Sequence, residues 1–117
     1  AGLLMGAQGG IGSTYNIMPE AYLGLYRAAL AADWEAARRW QTQVNDVITT
    51  LLHYPFFPAL RAVMKKKGFD CGPMMSGDKP LSEAQCSALF ADLDRNVSRE
   101  MAQLLALGTE GRPLHPR

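Results

Sequence analysis

Only one stretch of this chain reads as a strand, and a strand cannot stand alone. Gly9-Gly10-Ile11-Gly12-Ser13-Thr14-Tyr15 is a short, β-rich segment, whereas the residues after Pro19 repeat their apolar positions at helical spacing. The N–H and C=O groups of a strand must find partners, because buried unpaired ones cost free energy. No second strand is legible in the 117 residues. The chain therefore reads as mostly α, with one strand that needs sheet neighbours from elsewhere, and so as part of something larger.

Residues 1–7 read as the end of a helix. Pro19 then opens a helix, since proline suits the first turn, where its missing N–H costs nothing. Tyr22, Leu23, Leu25, Tyr26, Ala29 and Leu30 give that helix its apolar face. Asp33 is the expected N-cap of a second helix, with Glu35 well placed against the dipole. In this long helix, 34–52, the residues Trp34, Ala37, Trp40, Val44, Val47, Ile48, Leu51 and Leu52 form one continuous stripe. His53-Tyr54-Pro55 ends it, because a residue before proline is pushed out of the helical region.

A third helix is expected from about Pro58 to the run Lys65-Lys66-Lys67, with Gly68 as its C-terminal glycine. Residues 69–81 read as loop. Ser82-Glu83-Ala84-Gln85 is a capping box, opening a last helix with Ala88, Leu89, Leu93, Val97, Met101, Leu104 and Leu105 on its apolar face. Gly108 is expected to stop it, and 109–117 to form a mobile tail. There is no internal repeat and no domain boundary within the chain.

Composition narrows the function classes. A net charge of +1 gives no electrostatic reason to invoke nucleic acid or an anionic membrane, and no apolar run approaches the length of a membrane span. The opening Ala1-Gly2-Leu3-Leu4-Met5-Gly6 has no basic leader; it is a poor signal peptide and reads as a chain entered in mid-element. The two cysteines, Cys71 in a loop and Cys86 in a helix, have no metal-ligand spacing. Reduced thiols in a cytoplasmic protein are the simplest reading.

Several reactive-looking features reduce to structure. A Walker-type phosphate loop needs a lysine before Ser13, and there is none; a dinucleotide fingerprint needs a different glycine spacing and a βαβ unit. His53 and His115 are the only histidines, and nothing pairs them. Lys65-Lys66-Lys67 reads as a solvated helix end, since a Schiff-base lysine needs an apolar site to lower its pKa. Trp34 and Trp40 fall on the apolar stripe, and Asp92 and Asp94 on a solvated helix face. Ser13, Thr14 and Tyr15, taken alone, cap the strand and satisfy the start of the helix at Pro19.

The run Gly9-Gly10-Ile11-Gly12-Ser13-Thr14-Tyr15-Asn16 resembles the last barrel strand of the N-acetylneuraminate lyases, the sialic acid aldolases. Asn16-Ile17-Met18-Pro19 resembles the turn into the eighth helix of the wider dihydrodipicolinate synthase superfamily. Phe57-Pro58-Ala59-Leu60-Arg61, Lys67-Gly68-Phe69-Asp70-Cys71-Gly72-Pro73 and Pro80-Leu81-Ser82-Glu83 resemble its C-terminal helical extension. Relatives usually carry arginine where Met75 stands and proline where Gly77 stands.

The resemblance implies an α/β fold, the C-terminal portion of a (β/α)8 barrel, which needs about 250 residues in all. Residues 1–18 would be the end of helix 7 and strand 8, 19–54 the helix 8 region and 55–108 the C-terminal helices. It also implies that Gly12 and Ser13 contact a sugar's polyhydroxyl chain, as a barrel's strand ends line its active site. The implied reaction cleaves N-acetylneuraminate to N-acetylmannosamine and pyruvate through a lysine imine. No catalytic residue of that chemistry maps onto this chain, no metal or cofactor is implied, and a homotetramer is expected of the full-length enzyme. Two other readings stay open: another pyruvate-dependent 2-keto acid aldolase of the superfamily, and a helical module that self-associates through the 34–52 stripe.

Overall fold

The computed structural model describes residues 1–107, so the expected stop at Gly108, His115 and the 109–117 tail lie outside the described residues. Five helices follow a short 3-10 turn, Ser13–Asn16: α1 Pro19–Leu30, α2 Trp34–Leu51, α3 Phe56–Lys66, α4 Glu83–Asn96 and α5 Arg99–Leu104.

α1 and α2 form the most extensively packed pair. Pro19 opens α1 as its spacing requires, and the turn between the helices ends on Asp33, whose carboxylate accepts from the Ala36 N–H at 2.9 Å. The pair closes tightly because Gly24 has no side chain: a Cβ there would lie 2.6 Å from Cε2 of the Trp40 indole. Along α2, Ala37, Val44, Val47 and Leu51 are buried and Trp40 and Ile48 half-buried, while Trp34 and Leu52 at the stripe's ends are exposed. The middle of the stripe is thus spent on the chain's own core, beside Ile17, Met18, Ala21, Val63, Leu89, Leu93, Met101 and Leu105.

α3 begins two residues before the expected Pro58, on an N-cap at Pro55. Proline fits there because the first-turn N–H groups have no intrahelical partner to lose. Residues 69–81 form the expected loop, held to α3 by Arg61, whose guanidinium donates to the Cys71 and Gly72 carbonyls at 3.1 and 2.6 Å. The capping box of α4 is present in full: the Gln85 N–H donates to Ser82 Oγ at 3.2 Å, and Gln85 Oε1 accepts from the Ser82 N–H at 2.9 Å.

The structure corrects further expectations. No strand occurs among the described residues: 9–12 has no regular partner and Ser13–Asn16 is a 3-10 turn. Strand pairing needs a neighbour, and none is present to accept or donate. Residues 1–7 form turns rather than a helix end, closed by Met5 N–H to Ala1 O at 3.0 Å and Ala7 N–H to Gly2 O at 2.9 Å. The expected last helix is two helices, because Val97 adopts an extended backbone (φ −108°, ψ 159°) and Ser98 caps a new start. Lys67 is buried rather than solvated.

Candidate functional site

Around residues 8–26 the glycine-rich segment folds over the start of α1 and presents aromatic rings. Gly12 is fully extended (φ −167°, ψ 148°), and its carbonyl accepts from the Tyr15 N–H at 3.1 Å to begin the turn. The chain can turn this sharply because Gly10 and Gly12 have no Cβ. At Gly10 a Cβ would meet the Tyr15 hydroxyl at 2.5 Å, and at Gly12 the ring edge at 3.0 Å. Tyr15 therefore lies back over its own glycines and stacks on Tyr22, with ring centroids 3.9 Å apart and planes tilted by 37°.

Beneath this stack the buried Thr14 hydroxyl and the Tyr22 hydroxyl share a hydrogen bond of 2.6 Å. Burial pushes the Tyr22 phenol above its ordinary value, and the bond to Thr14 partly offsets that rise. One turn further along α1, the Tyr26 hydroxyl donates to the Gln8 carbonyl at 3.3 Å and ties the segment to the helix. A groove of about 480 Å³ runs between them, walled by Leu3, Gly9, Gly10, Tyr15, Tyr22, Tyr26 and Gln41, among others. Its chemistry is that of aromatic faces, exposed backbone and phenol hydroxyls.

Of the expected site residues, Ser13 is exposed and Gly12 half-buried; both border this segment without lining the groove. The Ser13 carbonyl accepts from the Asn16 amide at 3.1 Å, closing the turn on itself. Tyr22 and Tyr26 read as core positions in the sequence, yet they are half-buried and wall the groove. Their signal was their spacing: two tyrosines four apart on one helix face, directly after a Gly-Ser-Thr-Tyr turn.

A larger groove, about 790 Å³, lies under the 70–81 loop and includes Cys71 and Cys86, both free thiols. Two of its cationic side chains are engaged: Arg61 with loop carbonyls and Lys65 with Asp70 at 3.3 Å. Among the described residues no cluster of His, Cys, Asp and Glu is arranged to hold a metal ion, and no single helix is long and apolar enough to cross a membrane.

The Dihydrodipicolinate synthetase family profile matches residues 1–95. The chain belongs to that family. It is 38% identical over 89 residues to the N-acetylneuraminate lyase of Rhizobium meliloti (strain 1021), covering 76% of this chain and 30% of that protein. An uncharacterized DapA-like lyase of Halobacterium salinarum (strain ATCC 29341 / DSM 671 / R1) is 36% identical over 92 residues, 79% of this chain and 30% of the relative. The N-acetylneuraminate lyase of Escherichia coli O1:K1 / APEC is 45% identical over 64 residues, 55% and 22% of the two chains. The chain thus spans less than a third of the length of these curated relatives. No solved structure matches it. A mostly helical chain without a strand among its described residues is consistent with a piece of the family's barrel.

Proposed function

We propose that this chain is the C-terminal, sugar-facing part of a lyase that cleaves N-acetylneuraminate to N-acetylmannosamine and pyruvate. In this reading 9–12 is the final barrel strand, lacking here the two neighbours that would pair its backbone, and α1 to α5 are the last barrel helix and the helical extension. The observation that carries the proposal is the Gly-Ser-Thr-Tyr-Asn turn, which starts from the extended Gly12 and lies beside an aromatic groove. Relatives named N-acetylneuraminate lyase, at 38% and 45% identity, support it.

Cleavage in such an enzyme begins when a lysine amine condenses with the 2-keto carbon and expels water. As the C4 hydroxyl gives up its proton, the C3–C4 bond breaks, the iminium takes up its electron pair and N-acetylmannosamine leaves; protonation of the resulting enamine at C3 and hydrolysis then return pyruvate and the free lysine. That lysine belongs to another part of the protein. The residues of this chain bind: Gly12 brings backbone close to the sugar, and the Ser13 hydroxyl exchanges hydrogen bonds with the polyhydroxyl chain. The full-length enzyme is proposed to be a cytoplasmic homotetramer without metal or organic cofactor.

The test is Ser13→Ala in the full-length protein. Loss of a hydrogen bond to the sugar raises KM for N-acetylneuraminate roughly tenfold, at about 1.4 kcal/mol, and leaves pyruvate imine formation intact. An unchanged KM would remove Ser13 from the site. The DapA-like relative, at 36% identity, favours a second reading as another pyruvate-dependent aldolase. Turnover of aspartate semialdehyde with pyruvate, in place of sialic acid, would select it.

A further inference from the structure

α3 ends in three consecutive lysines that behave differently. Lys65 pairs with Asp70 at the surface, and the Lys66 ammonium lies 5.0 Å from the centre of the Phe90 ring. Lys67 turns inward. It is only 8% exposed, and its Nζ donates to the Ile17 carbonyl at 2.6 Å, across fifty residues of chain. Ile17 is the C-cap of the Ser13–Asn16 turn, fully buried, with its own N–H donating to the Thr14 carbonyl at 3.2 Å.

A buried carbonyl needs a donor, and a charged one makes a shorter and stronger bond than a neutral one. An ammonium loses hydration when buried, which here lowers the Lys67 pKa, with Glu20 opposing the shift. A lysine stem at a helix end can ordinarily reach solvent. This one instead carries its charge to the backbone that closes the candidate binding turn.

We propose that Lys67 is a positioning residue: seated on the Ile17 carbonyl, it holds the 13–16 turn in the register that presents Gly12 and Ser13 to the sugar. It touches no substrate itself. The proposal rests on the substrate-binding reading of Gly12 and Ser13, and its test separates the two.

The experiment is amide hydrogen exchange on the full-length protein and its Lys67→Met and Lys67→Arg variants. Methionine keeps an unbranched stem without the charge; arginine keeps a cationic donor. The expected result is that K67M speeds exchange at the Tyr15, Ile17 and Met18 amides by about tenfold or more, leaves Val44 and Val47 in α2 unchanged, and is largely rescued by K67R. Unchanged turn amides in K67M would overturn the proposal. So would acceleration spread evenly through turn and α2, without rescue by arginine, since that marks a packing role alone. In the full-length protein K67M is expected to raise KM for N-acetylneuraminate with kcat nearly constant. If the turn loosens while Ser13→Ala leaves KM unchanged, the positioning role stands and the substrate reading falls.

Discussion

At the scale of single residues, small changes of direction decide what a side chain does. Lys67 stands four residues after Val63 and seven after Leu60, both buried, so the helical period already turned it inward. The neighbouring lysines hid that signal behind a charge run. Asp92 also read as part of a solvated face, yet its carboxylate accepts from the Tyr54 hydroxyl at 2.5 Å and from the Arg95 guanidinium. The Tyr54 bond, with Arg95 assisting, holds the Asp92 carboxyl below its ordinary range, and the same bond to Asp92 pushes the Tyr54 phenol above its own.

Linkage gives this pair a signature. The lowered Asp92 contributes stability that is present above the ordinary carboxyl pKa near ~4 and is lost as pH falls through its folded value. The raised Tyr54 contributes stability that is present below ~10 and is lost as pH rises through its folded value. Tyr54→Phe removes the tyrosine contribution and the part of the Asp92 contribution that Tyr54 supplies, leaving the part due to Arg95. Denaturation curves of the wild type and Y54F should therefore differ by a constant amount between about pH 5 and 9 and converge at either extreme. A difference that stays constant at every pH would place the effect in packing instead.

Gly24 makes a second prediction at this scale. Alanine is the better helix former by ~1 kcal/mol, but its Cβ would meet the Trp40 indole at 2.6 Å. Overpacking costs about 1–3 kcal/mol, so the steric term wins and Gly24→Ala should lower stability in a denaturant titration. A stabilised G24A would mean that the ring moves aside freely.

At the scale of elements, helices whose ends carry their own chemistry were legible. Pro19, Asp33 and the Ser82–Gln85 box mark starts that the structure reproduces. The break at Val97 was not legible, because Val97, Met101, Leu104 and Leu105 keep a helical period across it. Ser98 ends the ambiguity in three dimensions: its hydroxyl accepts from the Met101 N–H at 3.2 Å and donates to Gln43 of α2 at 3.3 Å. A cap with a tertiary partner outweighs periodicity. The strand failed for the converse reason: Ile11, Thr14 and Tyr15 are residue types that favour strands, but the glycines between them do not, and pairing depends on groups outside the segment. The extended Gly12 followed by a turn is what the residues achieve alone. Ser82→Ala tests the cap arithmetic: loss of the Gln85 N–H bond to the Ser82 hydroxyl, with the backbone N–H of position 82 still bound to Gln85 Oε1, should cost about 1 kcal/mol, with faster exchange confined to the first turn of α4. No change in that turn would show that α4 is fixed by its packing.

At the scale of the whole molecule, the chain is looser than its length requires. Its radius of gyration is 15.1 Å, against about 13 Å for a compact domain of this size. Leu4, Met5, Ile11, Leu23 and Leu30 are exposed on the N-terminal segment and α1, where the proposed barrel neighbours would lie. The candidate site was legible in one respect, the position of the Gly-Ser-Thr-Tyr-Asn turn. Its tyrosine wall and its lysine brace were hidden because both depend on contacts between residues far apart in sequence.

The measurement that tests this account most directly is the intact mass of the native polypeptide that carries the sequence in its source cells. The account predicts a chain of ~250 residues or more, long enough to close a barrel and supply the lysine. A native product of only these 117 residues would contradict it.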